Sequence, residues 1–194
     1  ELVLDKEATY VTFCQSDGDA LHAMEGLMLH WTSPLRGAFP YGWQIAPRLA
    51  WDLGPALLEY YYATKSANDY LVMGPSGIGY NYPSVFKGLD KFLELTALYM
   101  GKTDTKTIWN IGRVAKYVSG GFVQHRTKAG EMLIPVVNHL PDEQLKRKLG
   151  TDFMDDSIIR EYCTKLPDAI GFFQGFHEVP GEEERFVNGK PYFP

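Results

Sequence analysis

Cysteine is nearly absent from this chain. Its 194 residues include two, Cys14 and Cys163, too few to build a disulfide framework. Cys14 lies in the strand-like run TYVTFCQ, where a small buried apolar role is expected of it rather than reactivity. Long apolar runs are also missing. The longest, such as AIGFF, fall far short of the roughly 20 residues that a membrane-spanning helix requires, so no membrane span is expected and the chain reads as soluble. Positive charge is in deficit: 19 Lys and Arg stand against 24 Asp and Glu, a net charge of -5. No basic surface is left to neutralise phosphates, which argues against a nucleic-acid partner and favours neutral or cationic ligands. Internal repeats and low-complexity tracts are lacking, and the one charge run, GEEER, reads as a solvated loop. The chain opens on Glu1, and ELVLDKEATYV has neither a basic start nor an apolar signal core. Its natural beginning is therefore expected to lie upstream.

What is present is ordinary globular composition, 45% hydrophobic and 22% charged, enough for one buried core and marginal for two. A single domain over residues 1–194 is the expectation. TYVTFCQ reads as a β-branched and aromatic strand that ends in the turn-rich SDGD, followed by a helix near Leu21 to Trp31. YGWQIAP is a short strand, and WDLGPALLEYYYATK a helix opened by Gly54-Pro55. DYLVMG is a third strand, after which Phe86, Leu89, Leu93, Ala97 and Met100 recur at helical spacing with Gly101 as the stop. TKTIWNI is a further strand, RVAKYVSGG a short helix, and EMLIPVVNHL an apolar strand or buried loop. DDSIIREYCTKL has acidic residues first and Lys165 near its end, as the helix dipole favours, and AIGFFQGF closes as a strand. The alternation predicts an α/β fold, a parallel β-sheet with alternating helices. A complete eight-stranded barrel takes about 250 residues, and five or six strands are readable here, so an incomplete or irregular (β/α) barrel is expected.

In such sheets ligands bind beyond the carboxyl ends of the strands, and two strand-end loops carry unusual chemistry. In QSDGDA, Asp17 and Asp19 flank Gly18, which permits a turn that brings both carboxylates to one spot. Such a pair can share a proton, hold a cation, or divide acid and base duties. The plainer reading is that one Asp caps the next helix while the other shapes the turn. The second loop is GPSGIGYNYPS, Gly74 to Ser84. Its spacing fits neither G-x-G-x-x-G nor the P-loop pattern, no lysine follows, and the hydrolase elbow G-x-S-x-G is broken at Ile78. What remains is a flexible strand-end loop that carries Tyr80, Asn81 and Tyr82. Tyrosine offers a flat apolar face with a polar tip, which suits stacking on a sugar ring, and equally suits anchoring a loop against a helix.

GIGYNYP, together with VTFCQSDGDA, GWQIAP and DLGPALLEYYYATKSANDYLVMGPSG, resembles the C-terminal domain of the GxGYxYP putative glycoside hydrolase family. The likeness is strong over roughly Tyr10 to Ser84, and the remainder is a plausible continuation. It implies a bacterial, exported, sugar-processing protein with additional domains in the same chain, and a carbohydrate as ligand. One departure is that Ala20 follows the D-G-D, where the family pattern commonly has Asn, an amide able to hold Asp19 or a ligand.

If the resemblance extends to glycosidase chemistry, two carboxyl groups must face a scissile bond, about 5 Å apart for retention and about 6.5 to 9.5 Å for inversion. Asp19 is the candidate acid or base and Asp17 its partner or a sugar-hydroxyl ligand. Glu178, just after AIGFFQGF, is the carboxylate expected to arrive from elsewhere, ahead of Glu131. Tyr80, Tyr82 and Trp43 are the candidate stacking platform, with Ser16, Ser76, Asn81 and Asn110 as further substrate-binding residues. Each also has a structural reading: Trp43 as core filler, Asn110 as a loop cap, Ser76 as a turn residue.

No cofactor or metal is expected. His22, His30, His125, His139 and His177 include no pair at i,i+4 spacing, which argues against a barrel-type metal deacetylase. Calcium or magnesium held by Asp17 and Asp19 is an alternative, since hard cations prefer oxygen ligands. A glycosyltransferase metal pair ranks lower, because the acidic chain offers no evident diphosphate site. The rival function is carbohydrate binding without cleavage, or a structural role within a larger sugar-processing protein.

Overall fold

The structure is a computed structural model that describes residues 7–8, 11, 13–15, 18–83, 86–111, 156–175 and 185–193. Its seven strands are β1 (Cys14–Gln15), β2 (Tyr41–Ile45), β3 (Asp69–Met73), β4 (Thr107–Ile111), β5 (Gly171–Gly175), β6 (Arg185–Val187) and β7 (Lys190–Phe193). They form one sheet in the order β1-β2-β3-β4-β5-β7-β6, parallel except where β6 meets β7. The sheet curls into a half-barrel, the incomplete α/β barrel that the alternation of elements predicts. The described helices are α1 (Leu21–Trp31), α2 (Pro47–Asp52), α3 (Pro55–Thr64), α4 (Leu89–Thr103) and α5 (Asp156–Lys165).

Strand side chains alternate between faces, and the alternation sorts the core. Trp43, Ile45 and Leu71 pack against Met24, Leu27 and Trp31 of α1 and Leu58 and Tyr61 of α3. Met73, Ile108, Phe172 and Tyr192 pack against Leu93 and Met100 of α4 and Ile159 and Tyr162 of α5. These residues make the helix-covered face. The intervening residues line the inside of the curl, where Val72, Trp109 and Ile111 gather with Cys14, Tyr82 and Phe173. Cys14 takes the small, partly buried role its position suggests, and burial pushes its thiol up to about 12.

Three local differences from the sequence reading have plain causes. Gly101 does not stop α4: its position faces open space, and the helix runs on to Thr103 and ends at Asp104 in a left-handed conformation (φ 47°). Trp51 and Asp52 belong to a separate helix α2, because the proline pair, Pro47 and Pro55, starts two helices rather than one. The β6–β7 hairpin is an addition to the strands read from sequence. Its turn is Asn188-Gly189, with φ of 50° and 75°, the Asn-Gly pair that favours a tight hairpin. The helix read in RVAKYVSGG and the apolar stretch EMLIPVVNHL lie outside the described residues.

At the beginning of β2 and β3 the sheet is pinned by a buried carboxylate. Asp69 accepts the indole N–H of Trp43 (2.9 Å) and the backbone N–H of Ser66 (2.7 Å), and it pairs with Arg36. The same guanidinium donates to the Thr64 carbonyl (2.9 Å) and lies 4.6 Å above the Trp31 ring. Burial pushes the Asp69 carboxyl up, but the hydrogen bonds from Ser66 and Trp43 and the charge of Arg36 outweigh it and hold it below its usual value. Asp69→Asn keeps the shape and removes the charge that satisfies these donors, so urea unfolding at neutral pH should show a loss of about 3 kcal/mol. Because the folded-state carboxyl titrates below its unfolded value, its contribution is present at neutral pH and fades as pH falls below about 4. The variant's stability should therefore depend less on pH in that range than the parent's.

Candidate functional site

The carboxyl ends of β1, β2 and β3 are joined by one side chain. Gln44, on β2, is in register with Val72 and so points into the curl, where it is buried. Its Oε1 accepts the backbone N–H of Gly18 at 2.9 Å, across 26 residues of sequence. A Cβ on Gly18 would come within 1.8 Å of the Gln44 carbonyl oxygen, so the D-G-D turn lies directly on β2. On the other side, a Cβ on Gly74 would come within 2.3 Å of the Gln44 amide nitrogen. The acidic turn and the glycine-tyrosine loop therefore meet against the same residue. Sequence reasoning missed Gln44, and its only signal was a polar residue inside the otherwise apolar YGWQI.

The turn leaves Asp19 half-buried, and among the described residues its carboxylate makes no hydrogen bond or ion pair. It does not cap α1. The first turn of that helix is instead held by the Ala20 carbonyl, which accepts from Ala23 and Met24 at 3.1 Å each. Ser16 and Asp17 lie outside the described residues, as do Glu131 and Glu178.

The second loop is tied down through its serine. Ser76 has positive φ (64°) and follows a cis Gly74-Pro75 peptide. Its backbone N–H donates to Trp109 (2.7 Å), its hydroxyl donates to the Asn81 carbonyl (2.9 Å) and accepts from the Ile111 N–H (3.1 Å), and its carbonyl accepts from the phenol of Tyr162 (2.7 Å). With its one hydroxyl proton committed, the buried Ser76 acts as the knot of the loop. Tyr162 is another residue invisible to motif reasoning, since it arrives from α5, 86 positions away. Its complete burial pushes the phenol well above its usual range, so it stays a donor.

Beyond the knot, Tyr80 and Tyr82 meet edge to face with ring centroids 5.7 Å apart, and their hydroxyls are 3.3 Å apart. Tyr82 packs on the Val72, Trp109 and Ile111 cluster, whereas Tyr80 is 47% exposed. Asn81 between them is buried, and neither atom of its side-chain amide has a partner. A buried amide without a partner among the described residues costs about 1 to 3 kcal/mol, a cost that Asn81 shares with Asn110.

Two predicted residues stand apart from this rim. Trp43 points to the helix-covered face, with its ring 5.0 Å from Trp31 and its N–H on Asp69, so it fills the core at the far end of β2. Asn110 shares the helix-covered face with Ile108 and lies in register with Gln174; it is fully buried, with both amide atoms unpartnered. The described structure thus sets the Gly18 turn and the start of the Gly74 loop against Gln44, and leaves Trp43 and Asn110 on the helix-covered face. Among the described residues no three His, Cys, Asp or Glu side chains cluster as metal ligands.

A curled, mostly parallel sheet with helices outside is an incomplete (β/α) barrel. Residues 7–191 match the family model of the GxGYxYP putative glycoside hydrolase C-terminal domain, and the chain belongs to that family. Its fold is similar to a crystal structure described as "a putative hydrolase from Bacteroides thetaiotaomicron", with a TM-score of 0.67 and 25% identity over 99% of this chain. The chain spans 31% of that protein's length. No curated protein matches it in sequence. Among the described residues, no helix is long and apolar enough to cross a membrane.

The close approach at Gly18 gives a direct test of this geometry. Gly18→Ala should cost about 2 kcal/mol, because backbone must shift to admit the methyl group. Gly79→Ala, where nothing lies within 4 Å, should stay within about 0.5 kcal/mol of the parent. Thermal unfolding of both variants checks the contrast.

Proposed function

We propose that this domain binds a carbohydrate at the strand-end rim and takes part in its hydrolysis, with Asp19 as the acid or base. One observation supports the reading: Gln44 holds the turn that carries Asp19 and the start of the loop that carries the exposed Tyr80 ring against one strand end. An exposed tyrosine supplies a stacking face, and an adjacent unpartnered amide supplies both a donor and an acceptor for sugar hydroxyls. The family name and the hydrolase description of the structural relative support the same chemistry. Glycoside hydrolysis needs a second carboxyl group across the bond, and Asp17 and Glu178 are its candidates.

A second reading is binding without cleavage. It needs only the exposed Tyr80 ring and the buried Asn81 amide as contacts, with no second carboxyl group. A glycan panel assayed for binding and for turnover with the full-length protein separates the two. Asp19→Asn should lower turnover by about 100-fold or more while sugar affinity persists. Tyr80→Ala should weaken affinity about fivefold, the value of one stacking contact near 1 kcal/mol. Binding with no turnover in the parent protein establishes the second reading. Unchanged affinity in Tyr80→Ala removes the ring from the site.

A further inference from the structure

Among the described residues β1 is the edge strand of the sheet, and the surface there is aromatic. β1 is the terminal strand, paired through the Gly42 N–H to the Phe13 carbonyl (2.9 Å). Phe13, Phe39 and Tyr41 form a ladder, with centroids 5.4 Å apart for Phe13 and Phe39 and 6.1 Å for Phe39 and Tyr41, and with the Phe13 and Tyr41 planes within 6°. Beside the ladder is a cavity of about 420 Å³ lined by Gln15, His30, Leu35, Phe39, Tyr41 and Trp43. Its apolar wall is open to solvent, with Leu35 75% and Phe39 48% exposed, and Phe13 of the adjoining ladder is 50% exposed. The charges bordering it, Arg36 and Asp69, neutralise each other. Tyr41 and Asp69 place the cavity where β2 and β3 begin, and its lining extends to Gln15 at the end of β1.

Contiguous exposed apolar surface is a feature that proteins cover. We propose that the β1 edge and its cavity are the docking surface for another domain of the same polypeptide, one that presents an apolar side chain to the cavity. The family is defined as a C-terminal domain, and this chain corresponds to 31% of its structural relative, so most of such a polypeptide lies elsewhere. β1 is also the first strand of the sheet, so a domain preceding it in the chain reaches this edge by the shortest path. The lining asks for an uncharged apolar partner, because the one nearby ion pair is internally satisfied. This inference does not depend on the carbohydrate reading.

The test uses the full-length protein with Leu35→Cys, labelled by N-ethylmaleimide and read by peptide mass spectrometry. At a position this exposed in the chain itself, a docked domain should slow labelling at least about tenfold relative to a free cysteine peptide, and the ratio should survive dilution and exhaustive dialysis. Phe39→Cys is the second probe should the first variant fold poorly. Labelling at the rate of the free peptide overturns the proposal. Protection lost on dilution assigns the surface to a second copy of the chain, and protection lost on dialysis to a small molecule; either outcome overturns it as well.

Discussion

The rim of this molecule depends on one amide side chain reaching across two crossovers. Gln44 accepts from Gly18 with its oxygen and lies against Gly74 with its nitrogen, so the loops after β1 and β3 are positioned by the strand between them. A hydrogen bond of this kind contributes only about 1 kcal/mol, and the steric term is larger. The Gly18 Cα sits so close to the Gln44 backbone that no side chain fits, and the amide nitrogen occupies the space a side chain on Gly74 would need. Glycine at both positions is thus a requirement of contact, and the contact brings the acidic turn beside the tyrosine loop.

The two ends of β2 and β3 divide the labour. At their beginning, Asp69 gathers Trp43, Ser66 and Arg36 into a nearly closed set of bonds, backed by the Trp31, Trp43 and Tyr61 rings. At their far end, polar groups are left with open valences: the Asn81 amide, the Gln44 nitrogen and the Asp19 carboxylate. Satisfied donors and acceptors distinguish the Asp69 anchor from the strand ends at Gln44. The equally unpartnered Asn110 amide, behind the sheet, shows that an open amide alone does not define a site. Burial alone does not, since Trp43 and Ser76 are both buried and serve opposite ends.

The sequence makes the helices and parallel strands legible because each has a strong period and clear punctuation. Helix α1 runs from Leu21 to Trp31 as the apolar spacing predicts, and Gly54-Pro55 opens α3. The end of α4 was not legible: Gly101 has the right chemistry for a stop, but packing of Leu93 and Met100 carries the helix past it. At the site, local motifs located both loops and could not rank their residues. Whether Ser76 meets a ligand or ties a loop depends on Ile111 and Tyr162, which come from β4 and α5. Trp43 and Asn110 were similarly ambiguous, because a one-residue difference in strand phase decides which face receives a side chain.

The segment Gly77 to Pro83, which carries the family signature, separates cleanly by cause. Gly77 has φ of 134°, and a Cβ there would come within 2.5 Å of the Thr96 hydroxyl, so backbone and packing both demand glycine. Tyr82 is an anchor on the inner cluster, and Pro83 is buried. Gly79 has ordinary φ and open space around it, Tyr80 leaves half its ring in solvent, and the Asn81 amide bonds to nothing. Tyr80 leans edge to face on Tyr82 and still leaves about half of its surface in solvent. A glycine with open space admits close approach by another molecule, an exposed ring offers it a face, and an unpartnered amide offers it a bond. Those three properties, rather than the anchored Gly77 and Tyr82, are what the proposed sugar-binding role of the loop rests on.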